Sequence, residues 1–159
     1  MEALALLVGG VHGDRIRNVM DLLLHVERYM EPGEEVDRLA RAVIGSAIEV
    51  HRVLGPGYME NVYEEALAAE LDMNRIGFER QKSFELNYKG KYVGEGRMDF
   101  LVGDRLVVEI KAVERLMPIH RAQVMSYLKA RRSGLGLLIN FNEKMLKLGV
   151  ERIIWSERP

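Results

Sequence analysis

The chain has 159 residues, 48% of them hydrophobic and 30% charged, a balance that suits one ordinary domain with a real core. It has no cysteine, which excludes disulfides, thiolate zinc sites, iron–sulfur clusters and cysteine nucleophiles and is compatible with a reducing cytoplasm, the location expected here. A net charge of −1 argues against a protein that coats nucleic acid through its overall charge, while leaving room for a local basic patch.

The first 33 residues differ from the rest. Their longest apolar run near the N-terminus, "ALALLV", is too short to span a membrane, and Glu2 stands where a signal peptide would be basic, so neither feature is expected. Residues 15–30 predict a helix with Val19, Leu22, Leu23 and Val26 on one face, broken by "EPGEE". Residues 1–33 are therefore read as an N-terminal extension and 34–159 as the main domain.

In that domain Leu39, Val43, Ile44, Ala47, Ile48 and Val50 recur at helical spacing until "GPG" stops the helix. A second helix is predicted over 59–74. Strands follow at 78–88, 92–102 and 106–111, separated by the turns "KGK" and "GD". Pro118 opens a helix over about 119–132, "GLGLLINF" reads as a buried strand and "GVERIIW" as the last strand. Helices, three strands, a crossover helix and two more strands predict an α/β fold with a mixed sheet flanked by helices.

Within "VVEIK", Glu109 and Lys111 are two residues apart and share one face of a strand. Alone, the two suit a solvated ion pair. The hairpin register brings in a third group. A two-residue loop would place Asp99 among Leu106, Val108 and Ile110. A three-residue loop or a bulge instead gathers Met98, Phe100, Leu106, Val108 and Ile110 on one face and Asp99, Glu109 and Lys111 on the other. The second register is favoured because the first buries a carboxylate among apolar side chains. Two carboxylates and an ammonium fit a hard-cation site of the magnesium type, where the lysine can orient water or stabilise a developing oxyanion.

An Asp followed about ten residues later by Glu-x-Lys resembles the signature of the PD-(D/E)xK nuclease superfamily, with Met98 in place of the usual proline. "IEVHRVLGPGYMENVYEEAL", with its Gly57-x-x-Glu60-x-x-Tyr63, together with "RMDF", "VEIKAV", "HRAQVMSYLKA" and "GLLINF", resembles the GxxExxY family within that superfamily over residues 36–155. The resemblance implies a restriction-endonuclease-like core in α-β-β-β-α-β order, with the N-terminal helical segment as an addition. It also implies Mg2+ or Mn2+ bound by Asp99, Glu109 and Glu60, with Lys111 assisting catalysis. Glu60 would equally favour a helix start through the macrodipole, and Tyr63 would pack, bond Glu60 or touch substrate.

His120, Gln123 and Tyr127 share one helix face. The Gln-x-x-x-Tyr pair resembles the motif that lines the site of RecB-like nucleases. His120 is read as a ligand, a phosphate contact or a cap, and His51 is ambiguous in the same way. Between Lys111 and Arg132 stand six basic residues and one acid, Glu114, which suits either a phosphate track or a solvated helix face. The expected function is a magnesium-dependent nuclease-like protein hydrolysing DNA, with RNA as the other substrate, no membrane, and a homodimer left open. The rival is a nucleic-acid or protein-binding module that keeps the fold without hydrolysis.

Overall fold

The computed structural model describes residues 32–156. The predicted helix at 15–30 lies outside them. Helix α1 (Glu34–Leu54) opens with Glu34, Glu35 and Asp37 and closes with His51 and Arg52, so its end charges complement the helix dipole. It buries Val36, Ala40, Val43, Ala47 and Val50. Ile48, one of the apolar residues at helical spacing, is exposed. Helix α2 (Glu60–Met73) buries Tyr63, Leu67, Ala68 and Leu71.

A five-stranded sheet follows in the order β1-β2-β3-β4-β5. Strands β1 (Phe78–Tyr88), β2 (Lys91–Val102) and β3 (Leu106–Lys111) form an antiparallel meander. Helix α3 (Pro118–Arg131) then crosses over, so that β4 (Leu135–Asn140) lies parallel to β3, and β5 (Val150–Ile154) returns antiparallel. The β2–β3 register pairs Val102 with Leu106 across a three-residue loop, with Gly103 and Asp104 both at φ 58°. This is the longer of the two loops considered from the sequence.

Two apolar layers sandwich the sheet. Phe100, Val102, Leu106, Val108, Ile110, Leu137 and Ile139 pack with α1 and α2. Leu101, Val107, Leu138 and Ile153 pack with Val124, Tyr127 and Leu128 of α3. This is the restriction-endonuclease-like arrangement expected. Met98 departs from expectation by joining the α3 layer rather than that of Phe100. The pairs Arg80↔Phe100 and Lys82↔Met98 flank an unpaired Gln81, which sits in the left-handed region at φ 49°. Strict alternation along β2 fails at this distortion. Among the described residues no helix is long and apolar enough to cross a membrane.

Gly96 pairs with Phe84, whose ring lies over it and makes an edge contact with Tyr127 at 5.2 Å. A methyl group at position 96 would come within 2.2 Å of that ring. Gly96→Ala should therefore cost about 1–3 kcal/mol by driving Phe84 off Tyr127. Phe84→Leu in the same chain should recover part of the loss. Denaturant midpoints of the two single variants and the double variant check this.

Candidate active site

The β2–β3 ladder stops at Phe100↔Val108. Beyond it Asp99 continues the contact through its side chain, accepting the Ile110 N–H at Oδ2 (2.8 Å). Glu109 and Lys111 stand on the α3 side of β3 and form an ion pair, Lys111 Nζ to Glu109 Oε1, at 2.6 Å. Glu109 is only 3% exposed, and its second oxygen, Oε2, is buried without a hydrogen-bond partner. A buried orphan acceptor costs about 1–3 kcal/mol, more when charged.

Electrostatics tie these groups together. Burial pushes the Glu109 carboxyl up to about 7; Asp99 and Glu60 add to the rise, and Lys111 opposes it. Asp99 is raised by burial and by Glu64, against the Ile110 N–H, Lys111 and Gln81. Glu60, at the first residue of α2, is also raised, first by burial of its carboxyl and then by Asp99 and Glu64; Lys111 and the Ala112 backbone hold it down. Burial alone would lower the Lys111 ammonium, but its hydrogen bond to Glu109 and the charges of Glu109, Glu60 and Asp99 prevail and raise it. Lys111 therefore stays a cation, unsuited to taking a proton from water and suited to stabilising negative charge.

Gln123 and Tyr127 join the edge of this cluster. Gln123 Nε2 donates to the Tyr127 hydroxyl at 2.6 Å. Burial raises that phenol, and Glu109, Lys111 and Asp99 all influence it. One expectation is corrected, the substrate contact for Tyr63. Tyr63 is fully buried and stacked on Phe141, with its hydroxyl donating to the Gly55 carbonyl and accepting the Tyr58 N–H. It holds the "GPG" loop and offers substrate nothing. His120 accepts the Met117 N–H through Nδ1 and caps α3, which leaves the capping alternative standing. His51 contacts the Glu143 carbonyl and is structural.

The sequence reading passed over Glu64, Gln81 and Arg80. Gln81 Nε2 donates to both Glu64 (2.9 Å) and Asp99 (3.3 Å). Arg80 binds Glu64 and Glu65. Glu64 was findable, since it lies one helical turn after Glu60 on the same face. Gln81 was not, because its role depends on a local backbone distortion. At least three of the six basic residues between Lys111 and Arg132 are neutralised: Lys111 by Glu109, Arg121 by Glu151 and Arg131 by Asp104. This weakens the phosphate-track reading of that segment.

Asn140, opposite Lys111 in the β3–β4 ladder, is fully buried. It accepts the Val113 N–H (3.0 Å) and donates to the Val113 carbonyl (2.8 Å). This pair of hydrogen bonds pins the chain just beyond Lys111. Asn140→Ala leaves both Val113 groups without that partner and should cost about 2–3 kcal/mol, read as a lower denaturant midpoint with unchanged slope.

The donor set can be weighed against a divalent cation. Among the described residues no three His, Asp or Glu side chains already form a metal cage. The orphan Oε2 of Glu109 beside the Asp99 carboxylate nevertheless fits a hard cation that takes one or two carboxylates and keeps waters.

The family model described as "PD-(D/E)XK nuclease superfamily" matches residues 37–153 of this chain. No curated protein matches it significantly. Among solved structures, the crystal structure of SSO0001 is similar at 22% sequence identity and a TM-score of 0.49, over 62% of this chain and 50% of its own. The chain thus spans about half the length of that protein.

Proposed function

The chain belongs to the PD-(D/E)XK nuclease superfamily, and from that premise we propose that it hydrolyses DNA phosphodiester bonds with the help of a divalent cation, Mg2+ or Mn2+, as a member of the GxxExxY branch. The observation that carries this reading is the buried, unpartnered Oε2 of Glu109 set against Asp99, with Lys111 on the other oxygen. Asp99 and Glu109 would hold the cation, and Glu60 would complete the acidic set from the start of α2. When bound, such a cation lowers the pKa of a water and stabilises charge on a phosphoryl oxygen.

The protein's own groups supply the rest. Lys111, kept protonated by three carboxylates, directs its ammonium toward charge that grows on the phosphate or orients the attacking water. The Ile110 N–H fixes one Asp99 oxygen and Gln81 the other, so the carboxylate keeps one rotamer. Gln123 and Tyr127 orient substrate or the lysine beside this cluster.

The rival is a nucleic-acid or protein-binding module that keeps the fold without hydrolysis. Incubation with single-stranded DNA, duplex DNA and RNA, with and without Mg2+ or Mn2+, separates the two. Cleavage that requires the cation supports the nuclease. Binding without cleavage under every condition supports the module.

A further inference from the structure

The cluster of Glu60, Asp99 and Glu109 repels a polyanion, and at least half of the basic residues nearest it in sequence are already paired. Away from that cluster, the β1–β2 hairpin has chemistry that attracts nucleic acid. The β2–β3 ladder covers only Phe100–Val102 of β2, so the hairpin continues past β3. Its last contact with a core layer is Phe84, and no residue of 85–95 enters either layer.

The tip, residues 86–94, reads "LNYKGKYVG", with two lysines, two tyrosines and no acid. Tyr88 is 64% exposed and Tyr92 59%. A two-residue turn at Lys89 and Gly90, both at positive φ, joins Tyr88 to Lys91. The Lys89 ammonium lies 5.5 Å from the centre of the Tyr88 ring. Below the tip, Glu85 faces Glu95, so phosphate is disfavoured at that level and drawn to the lysines above it.

The pairing of Tyr88 with Lys91 and of Asn87 with Tyr92 sets the two rings on opposite faces of the tip. We propose that this hairpin tip is an arm for single-stranded DNA that passes around the turn, with Tyr88 and Tyr92 each stacking on an unpaired base on its own face while Lys89 and Lys91 hold the backbone phosphates. Exposed rings beside lysines are the pattern of a stacking platform with an electrostatic track. A duplex could use the lysines but offers the rings no unpaired base. Tyr92 lies seven residues along β2 from Asp99, about 23 Å at the ordinary strand rise, so one strand bridging arm and cluster spans several nucleotides. The inference rests on the nuclease reading for the direction in which that strand runs.

The test is fluorescence anisotropy on the full chain carrying Asp99→Asn to prevent cleavage. The probes are a labelled single strand, a blunt duplex of the same length and a single-stranded RNA. Tyr88→Ala with Tyr92→Ala should weaken single-strand binding at least tenfold and duplex binding less than twofold. Lys89→Ala with Lys91→Ala should reduce the slope of log affinity against log salt by about 1.4 for the single strand.

Unchanged single-strand affinity in the tyrosine variant overturns the proposal. So does an equal loss on single strand and duplex, or a preference for the RNA probe. A dimer that the tyrosine variant converts to monomer in sedimentation would also overturn it, making the tip an interface between copies. Cation-dependent cleavage by the chain with Asp99 intact, run in parallel, keeps the two readings apart. Cleavage with an indifferent arm sinks the arm alone, and a tenfold arm effect without cleavage sinks only the nuclease.

Discussion

Freed of divalent cations, the protein should be more stable at about pH 5.5 than at about pH 8, by roughly 2 kcal/mol from Glu109 alone. Its carboxyl has an ordinary value of 4.5 and is raised to about 7 in the fold, so the folded state holds that proton more tightly than the unfolded chain does. The stabilisation is complete below the lower value, fades as pH rises between the two, and is gone above the higher one. Asp99 and Glu60 are raised as well and act in the same direction. The lysine partner does not intervene, since its raised value lies far above this range.

The measurement is the melting temperature in EDTA across this pH range. Glu109→Gln should flatten the curve and stabilise the cation-free protein at the alkaline end. Added Mg2+ or Mn2+ should raise the melting temperature of the parent chain at about pH 8, where the cation meets ionised carboxylates, and much less at about pH 5.5. A parent curve that falls from pH 8 to pH 5.5 in EDTA would contradict the buried carboxylate cluster itself, whatever the protein does.

The second large effect concerns cleavage. Lys111→Ala should lower cation-dependent cleavage by about 100- to 1000-fold, the usual loss when one preorganised charge is removed from developing negative charge. Cation binding by calorimetry should survive in alkaline buffer, because lysine is not a ligand, although loss of Lys111 lets the Glu109 carboxyl rise further. Asp99→Asn should abolish cleavage and weaken cation binding together, because it removes a proposed ligand and a charge while nearly keeping shape. A Lys111→Ala chain that cleaves as well as its parent would remove the lysine from the chemistry. If the parent itself binds no divalent cation at millimolar concentration even with DNA present, the hydrolytic reading fails as a whole.

How much of this was legible in the chain depends on the range of the interaction involved. Strands at 78–88 and 106–111 and the crossover helix follow from local periodicity and turn chemistry, and they stand within a residue of expectation. Glu109 and Lys111 share a face because strand side chains alternate, which is a property of neighbouring residues. The loop at Gly103–Arg105 was decided by the same economy of burial that the sequence exposes, and it sets Asp99 opposite them.

Where a side chain's hydrogen-bonding capacity is already spent, sequence spacing misleads. The Tyr63 hydroxyl is occupied by the Gly55 carbonyl and the Tyr58 N–H. Met98 was assigned by alternation, which holds only while β2 stays regular, and the left-handed Gln81 opposite Asp99 marks where it does not.

The sequence by itself determined the order of elements, the two apolar faces of the sheet and the Asp–Glu–Lys triplet, because each rests on periodicity or on a hairpin a few residues long. The resemblance implied Glu60 at the cluster, and only the tertiary structure decided that Glu64 reaches Gln81 and Asp99 from the same helix. It also decided that Glu109 Oε2 is left without a partner and that the β1–β2 tip stands clear of both layers. Those facts depend on how α2, α3 and the sheet pack, and packing is the sum of many side-chain fits that no single stretch of sequence encodes.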